Sequence, residues 1–368
     1  MRLFRRIEEG VHPVLELGRA LTGSTPRGLT PSFLGHLEYH KDRSIASTIG
    51  VMREYVDGEC TAWQHTLDDL GRYFDRAVSL SGQATSQATP PTDHLLDAAA
   101  RGCPPRVLDT VGSELHVAGT LGLRTAELHV ALVSMAHEPA FAPEPFSRLY
   151  QRSLYQSMRN QVVTTFRCLR EHLDRVPPDH RERALRLLAS EARSLEFFDP
   201  LRRREIQAET TRYHGNLSLE GILFTGRDFV ILESRGGPAW RWSDLKIKRS
   251  PLRDVASLLR SFHYAVHATL LGLGASTLAR PEDLMTLMPW ARWWFHWVGA
   301  TFLRSYLTLA GQMTFLPQRR EDLRLLLDVF CLERALQELE SELVARPAWS
   351  AIPLRAILEI METPQSQG

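Results

Sequence analysis

One stretch of this chain carries residue types and spacing that could serve group-transfer chemistry: "RYHGNLSLEGILFTGRDFVILESRGGP", residues 212 to 238. A histidine–glycine pair, His214–Gly215, opens it, and an apolar run, a turn and a second apolar run follow. That is the outline of a phosphotransferase catalytic loop. Such a loop needs a carboxylate to accept the proton of the attacking hydroxyl, and oxygen ligands to hold magnesium against the phosphates. The residue after the glycine is Asn216, an uncharged amide that cannot take a proton near neutral pH. Glu233 stands at the end of the second apolar run, and Arg235 follows two positions later. The loop's shape is legible here, while the groups that would do its chemistry are altered.

The elements that must position this stretch follow from periodicity. "ILF", the turn "TGRD" with Gly226, and "FVIL" predict a short hairpin. Around it the pattern is helical. Residues 63 to 80 place Trp63, Leu67, Leu70, Phe74 and Ala77 at the three-and-four spacing of an amphipathic helix. The stretches from Glu114 to Met135, from Phe146 to Leu173 and from Asp179 to Phe198 also predict helices, the last two separated by Pro177 and Pro178. Trp290, Trp293, Trp294 and Trp297 lie on one helical face and its flank, where core packing is the expectation. In the first 60 residues, "MRLFRRI" and "IASTIGVMREYV" read as strands and "PVLELGRALTG" as a short helix ending at Gly23. The small polar stretch "SGQATSQATPPTD" reads as a flexible connection, and the tail 361–368 as disordered. "ELHVA" recurs at 114 and 127 at a spacing too short for a helical repeat, and neither copy has the HExxH partner set of a zinc site.

Composition narrows the function classes. With 44 basic against 43 acidic residues among 368, no bulk charge steers the chain to nucleic acid or to a membrane surface. Cys60, Cys103, Cys168 and Cys331 are far apart and form no CxxC pair, as expected of a reducing compartment. No apolar run follows the basic N-terminus as in a secretory signal, and no run is long enough to span a bilayer. A cytoplasmic protein is expected.

Longer words resemble a known family. "LFRRIEEGVHPVLELGRALT", "TAWQHTLDDLGRYFDRA", "LGLRTAELHVAL", "PAFAPEPFSRLYQRSLYQSMRN" and "KRSPLRDVASLLRSFHYA" resemble bacterial maltokinase, particularly the form fused to trehalose synthase, and the likeness runs along nearly the whole chain. It implies an α+β fold of the protein-kinase-like, aminoglycoside-phosphotransferase-like type. On this basis residues 1–60 are the remnant of a truncated N-lobe, and 61–105 a helix and connection. Residues 106–360 are then a mainly helical C-lobe containing the loop-like segment 212–238. In active members the family reaction is ATP- and magnesium-dependent phosphorylation of maltose.

The resemblance also assigns roles, and the chain departs from several of them. Asn216 stands where the family has its base aspartate, after His214. Gly221 stands where an amide would hold the second metal position, and Glu233 stands at the first, with Arg235 and Gly237 replacing the acidic residues that follow. Arg2 stands in place of the nucleotide-binding lysine, paired by the resemblance with Glu16. Arg124, Glu127, His129, Tyr155 and Gln156 fall on the sugar side, with Phe146 and Tyr150 beside them, and Asp254 has the structural role of anchoring the loop. The expectation is a catalytically degenerate pseudokinase acting as a sugar-binding or regulatory module. No cofactor is expected, and ATP and Mg2+ would bind only with residual kinase activity. Candidate partners are maltose or another α-glucoside, trehalose synthase, or an active maltokinase. The alternatives are a residual ATP-dependent maltose 1-kinase and a docking partner of those enzymes.

Overall fold

The computed structural model describes residues 1–5, 7–23, 26, 28–40, 45–81, 91–232, 242–273 and 284–362. The chain begins with β1 (Arg2–Leu3), α1 (Pro13–Leu21), β2 (Phe33–Tyr39) and β3 (Ser47–Arg53). The three strands form an antiparallel sheet in the order β1-β3-β2, with Arg2 opposite Val51 and Leu37 opposite Gly50. Helix α1 packs beneath it through Val14 and Leu15 against Val51, Phe4 and Phe33. Its start is fixed locally. Pro13 takes the first helical position, and the His12 ring caps the helix, Nδ1 accepting from the Val14 amide at 3.1 Å while stacking on Phe4. Burial lowers the His12 pKa to about 4, so the ring is neutral at pH 7 and free to accept.

The rest is mainly helical. In chain order come β4 (Cys60–Thr61), α2 (Ala62–Ser81), α3 (Leu95–Arg101), α4 (Pro105–Val111) and α5 (Glu114–Ser134). Next are β5 (Glu144–Pro145), α6 (Arg148–Glu171), α7 (Pro178–Ala189), α8 (Glu191–Glu196), α9 (Pro200–Arg203) and β6 (Glu209–Thr210). Last are β7 (Ile222–Phe224), β8 (Phe229–Ile231), α10 (Trp242–Lys246), α11 (Leu252–Leu270), α12 (Leu284–Ala310), α13 (Arg320–Ala345) and α14 (Ala351–Glu362). β7 and β8 are the hairpin, extended by β4 into a three-stranded sheet, and β5 pairs with β6. Gly226 turns the hairpin at φ +82°, a conformation that glycine adopts without penalty.

The main core lies among α2, α5, α6, α11, α12 and α13, and α11 is its axis: every residue of that helix except Arg253 and Ser261 is buried. Helices α5 and α12 cross so closely at Gly122 that a Cβ there would lie 2.3 Å from the Phe302 carbonyl oxygen. Three features differ from the sequence reading. β2 was not among the strands read from the sequence, where Gly35 and His36 interrupt its apolar pattern. The helix expected over 179–198 is broken at Ser190, whose hydroxyl turns back to the Leu187 carbonyl. The expected connection and tail fall largely on 82–90 and 363–368, outside the described residues. Among the described residues no helix is long and apolar enough to cross a membrane.

Candidate ligand site beside the His214–Asn216 loop

The loop is held by one carboxylate. Asp254, in the first turn of α11 and 1% exposed, accepts the His214 amide on Oδ2 at 2.7 Å and the Gly215 amide on Oδ1 at 2.9 Å. Gly215 has φ +84°, which lets the chain fold both amides onto the same side chain. His129 Nε2 donates to the same Oδ2 at 3.2 Å, and its Nδ1 accepts from the Tyr306 hydroxyl at 2.9 Å. The His214 ring joins the loop to the hairpin: Nε2 donates to the Leu232 carbonyl at 2.7 Å, and Nδ1 accepts from the Asn216 amide at 3.4 Å. Two partners thus fix its tautomer as Nε2–H. Asn216 itself is half-buried. Gly221 has no side chain to offer a cation; its amide bonds to the Ser218 carbonyl and its carbonyl accepts Leu232 N–H.

Beside the loop lies a polar cavity of about 290 Å³. It is lined by Tyr213, Gly215 and Asp254, by Ser157 and Gln161 of α6, and by Arg253, Glu333 and Gln337. Arg253 pairs with Glu333 at 2.7 Å and lies over the Phe330 ring at 4.9 Å. Its Nε and Nη2, and the Ser257 hydroxyl, are buried without a hydrogen-bond partner among the described residues. Burial pushes the Tyr213 phenol up to about 12, so it keeps its proton at neutral pH. The site therefore offers hydroxyl, amide, guanidinium and carboxylate groups in a half-enclosed space, a set suited to a polyhydroxylated ligand.

A second cleft, of about 470 Å³, is basic: Arg212, Lys246 and Lys248 line it with Glu16, Glu144 and Tyr150. Glu16 is the carboxylate expected to pair with Arg2. It receives Arg212 Nη2 at 2.9 Å, an ion pair joining α1 to the segment just before the loop. Arg2 lies 5.5 Å from the Phe4 ring centroid.

The residues expected on the sugar side are dispersed. His129 is 1% exposed and engaged between Asp254 and Tyr306. Arg124 is spent on the hairpin: Nε reaches Asp228 at 2.8 Å and Nη1 reaches Glu127 at 2.5 Å, which occupies Glu127 too. Tyr155 is buried, its hydroxyl donating to Asp199 at 3.2 Å under the Arg202 guanidinium, and Gln156 is exposed and bonds Asn160 of its own helix. Phe146 packs edge-on against Tyr150 at 4.8 Å. The α6 residues that do line the cavity, Ser157 and Gln161, are one and five positions beyond Gln156, about 100° around the helix per residue. Their four-residue spacing was the available signal. Glu233, Arg235 and Gly237 lie outside the described residues.

No protein-family model matches the chain. Solved structures of a glucosamine kinase do resemble it. One, in complex with glucosamine, ADP and inorganic phosphate, superposes with a TM-score of 0.67 at 17% identity, covering 98% of this chain and 71% of that one. Crystal form A of a glucosamine kinase gives 0.64 at 18%, covering 96% and 72%. The chain therefore has a kinase-like α+β fold of the kind a sugar kinase uses, mainly helical with small sheets.

Proposed function

We propose that this chain binds a sugar in the polar cavity beside the His214–Asn216 loop and has lost efficient phosphoryl transfer. The observation that carries the reading is a loop anchored by Asp254 beside a polar cavity in which Arg253 Nε and Nη2 and the Ser257 hydroxyl lack a partner among the described residues. Loss of a general base alone lowers rate by about 10²–10⁴. The described residues also fit magnesium poorly. Gly221 has no ligand atom on a side chain, and its backbone amide and carbonyl are taken by the Ser218 carbonyl and the Leu232 amide. Magnesium tolerates little departure from octahedral oxygen coordination.

The sequence resemblance makes the sugar an α-glucoside, maltose first, and the chain a pseudokinase related to maltokinase that acts in trehalose, maltose and α-glucan metabolism. The fold likeness makes glucosamine the second ligand to try. The test is calorimetric titration of the purified chain with each sugar, with and without magnesium-ATP, alongside a coupled assay for ADP release. Saturable sugar binding with no ADP release supports the reading. Sugar-dependent ADP release would replace it with a working kinase, and absence of binding to any glucoside would remove the sugar altogether. Asn216→Asp should leave sugar affinity within about threefold and restore little turnover, because the metal positions remain altered.

A further inference from the structure

Histidine is concentrated far along α11 from its loop-anchoring end. His263 and His267 are four residues apart and so stack on one face, their ring centroids 4.3 Å apart. They are 4% and 2% exposed. Glu359 of α14 faces them, its Oε2 3.4 Å from His263 Nε2. One ligand atom from each of the three can be chosen so that all lie within 4.8 Å of one another. The Nδ1 atoms of both histidines are buried with no hydrogen-bond partner among the described residues. A satisfied pair of core histidines would each give Nδ1 to a neighbour, and an orphaned buried polar atom costs about 1–3 kcal/mol. We propose that His263, His267 and Glu359 form a binding site for a first-row divalent transition-metal ion, Zn2+ above all, which pins α11 to α14.

The chemistry of the donors selects the ion. Two imidazoles and a carboxylate suit Zn2+, Co2+ or Ni2+, whereas Mg2+ and Ca2+ want oxygen alone. Metal binding requires neutral imidazoles and an ionised carboxylate. Burial lowers His263 to about 4 and His267 well below its ordinary value, so no proton competes at neutral pH. Arg292 at 2.8 Å and Arg355 at 3.7 Å already share the Glu359 carboxylate. Arg292 is half-exposed and can release to solvent when a cation arrives. A cavity of about 500 Å³ opens onto the three residues; Arg260 and Arg292 line it along with Asp93, paired with Arg101, and Asp328, paired with His94. Three protein ligands facing a cavity leave the fourth position for water or an exogenous group.

A second cluster, His65, Asp69 and Glu114, meets the same distance criterion. It is the poorer site. Burial raises the Glu114 carboxyl to about 8, so it stays protonated at neutral pH, and Arg72 is bound to Asp69.

The experiment uses the full chain, stripped with chelator and titrated with Zn2+ by calorimetry and with Co2+ by its visible absorption. One ion per chain is expected, with a rise in melting temperature on Zn2+ addition. His267→Ala should weaken binding by on the order of 100-fold or more, and Glu359→Gln, which keeps the side-chain volume, by about tenfold or more. If the alanine variant does not fold, the glutamine variant decides. No stoichiometric binding, or binding unchanged in Glu359→Gln, would overturn the proposal. So would binding lost in Glu114→Gln and kept in Glu359→Gln, which would place the ion at the other cluster.

Discussion

Asp254 concentrates three hydrogen bonds on one buried carboxylate, two from consecutive backbone amides and one from His129. Asp254→Asn removes the charge and turns one acceptor into a donor facing an amide, so we expect a loss of about 1–3 kcal/mol in denaturant unfolding. Exchange of the His214 and Gly215 amides should quicken in the same variant. Glu114 behaves oppositely, since its buried carboxyl is better off without charge. Its folded pKa is raised from 4.5 to about 8. Below pH 4.5 the group is protonated in both states, and the folded state bears no penalty. Between 4.5 and 8 the unfolded chain ionises and the folded one does not, so stability falls as pH rises through that window. Glu114→Gln should therefore melt higher than the parent at pH 8 and converge with it near pH 4.5. The anchoring role of Asp254 comes from the family resemblance of "SPLRDVA" and not from periodicity, which would place a residue there without saying what it holds. The fate of His129 was not legible, since its partner Tyr306 is 177 residues away.

Among the elements, α5 and α12 set the tightest tolerance. Gly122→Ala would drive a methyl into the Phe302 carbonyl and the Ser305 side chain, and neither helix can move without disturbing the core. A destabilisation of about 1–3 kcal/mol is expected, measurable by thermal or urea unfolding. The same substitution at an ordinary exposed helix position would be stabilising. Long helices such as α5 and α6 could be read from the sequence because their apolar residues repeat over many turns. The hairpin was legible for a different reason: "TGRD" separates two apolar triplets. β2 was not, because its residues are half-exposed and its pairing is irregular after Phe33 and again after Leu37. Tyr155 and Gln156 stand in the same stretch of α6 as Ser157 and Gln161, which line the cavity, and one step along a helix rotates a side chain about 100°.

Over the whole molecule, the N-terminal sheet and the helical body meet partly through the Glu16–Arg212 ion pair. Arg212 is buried and Glu16 is partly exposed. Arg212→Met should leave the main unfolding transition nearly in place. Amide exchange in α1 and β3 should become about tenfold faster, the factor that roughly 1.4 kcal/mol corresponds to. Unchanged exchange would mean that the sheet is held by other contacts. The packing of α12 has an optical consequence as well. It carries four of the eight tryptophans in the chain, with Trp290, Trp294 and Trp297 almost wholly shielded and the Trp294 and Trp297 ring N–H groups buried without a partner among the described residues. Indoles kept from water emit toward the blue, and here they sit in the helix that packs on α3, α5 and α11 together. The intrinsic fluorescence of this protein is thus weighted toward its body, while Trp242, 4.6 Å from the His12 ring, is an indole in contact with the N-terminal unit. His296, whose ring is 5.2 Å from Trp297, places a proton-sensitive quencher within the emitting cluster.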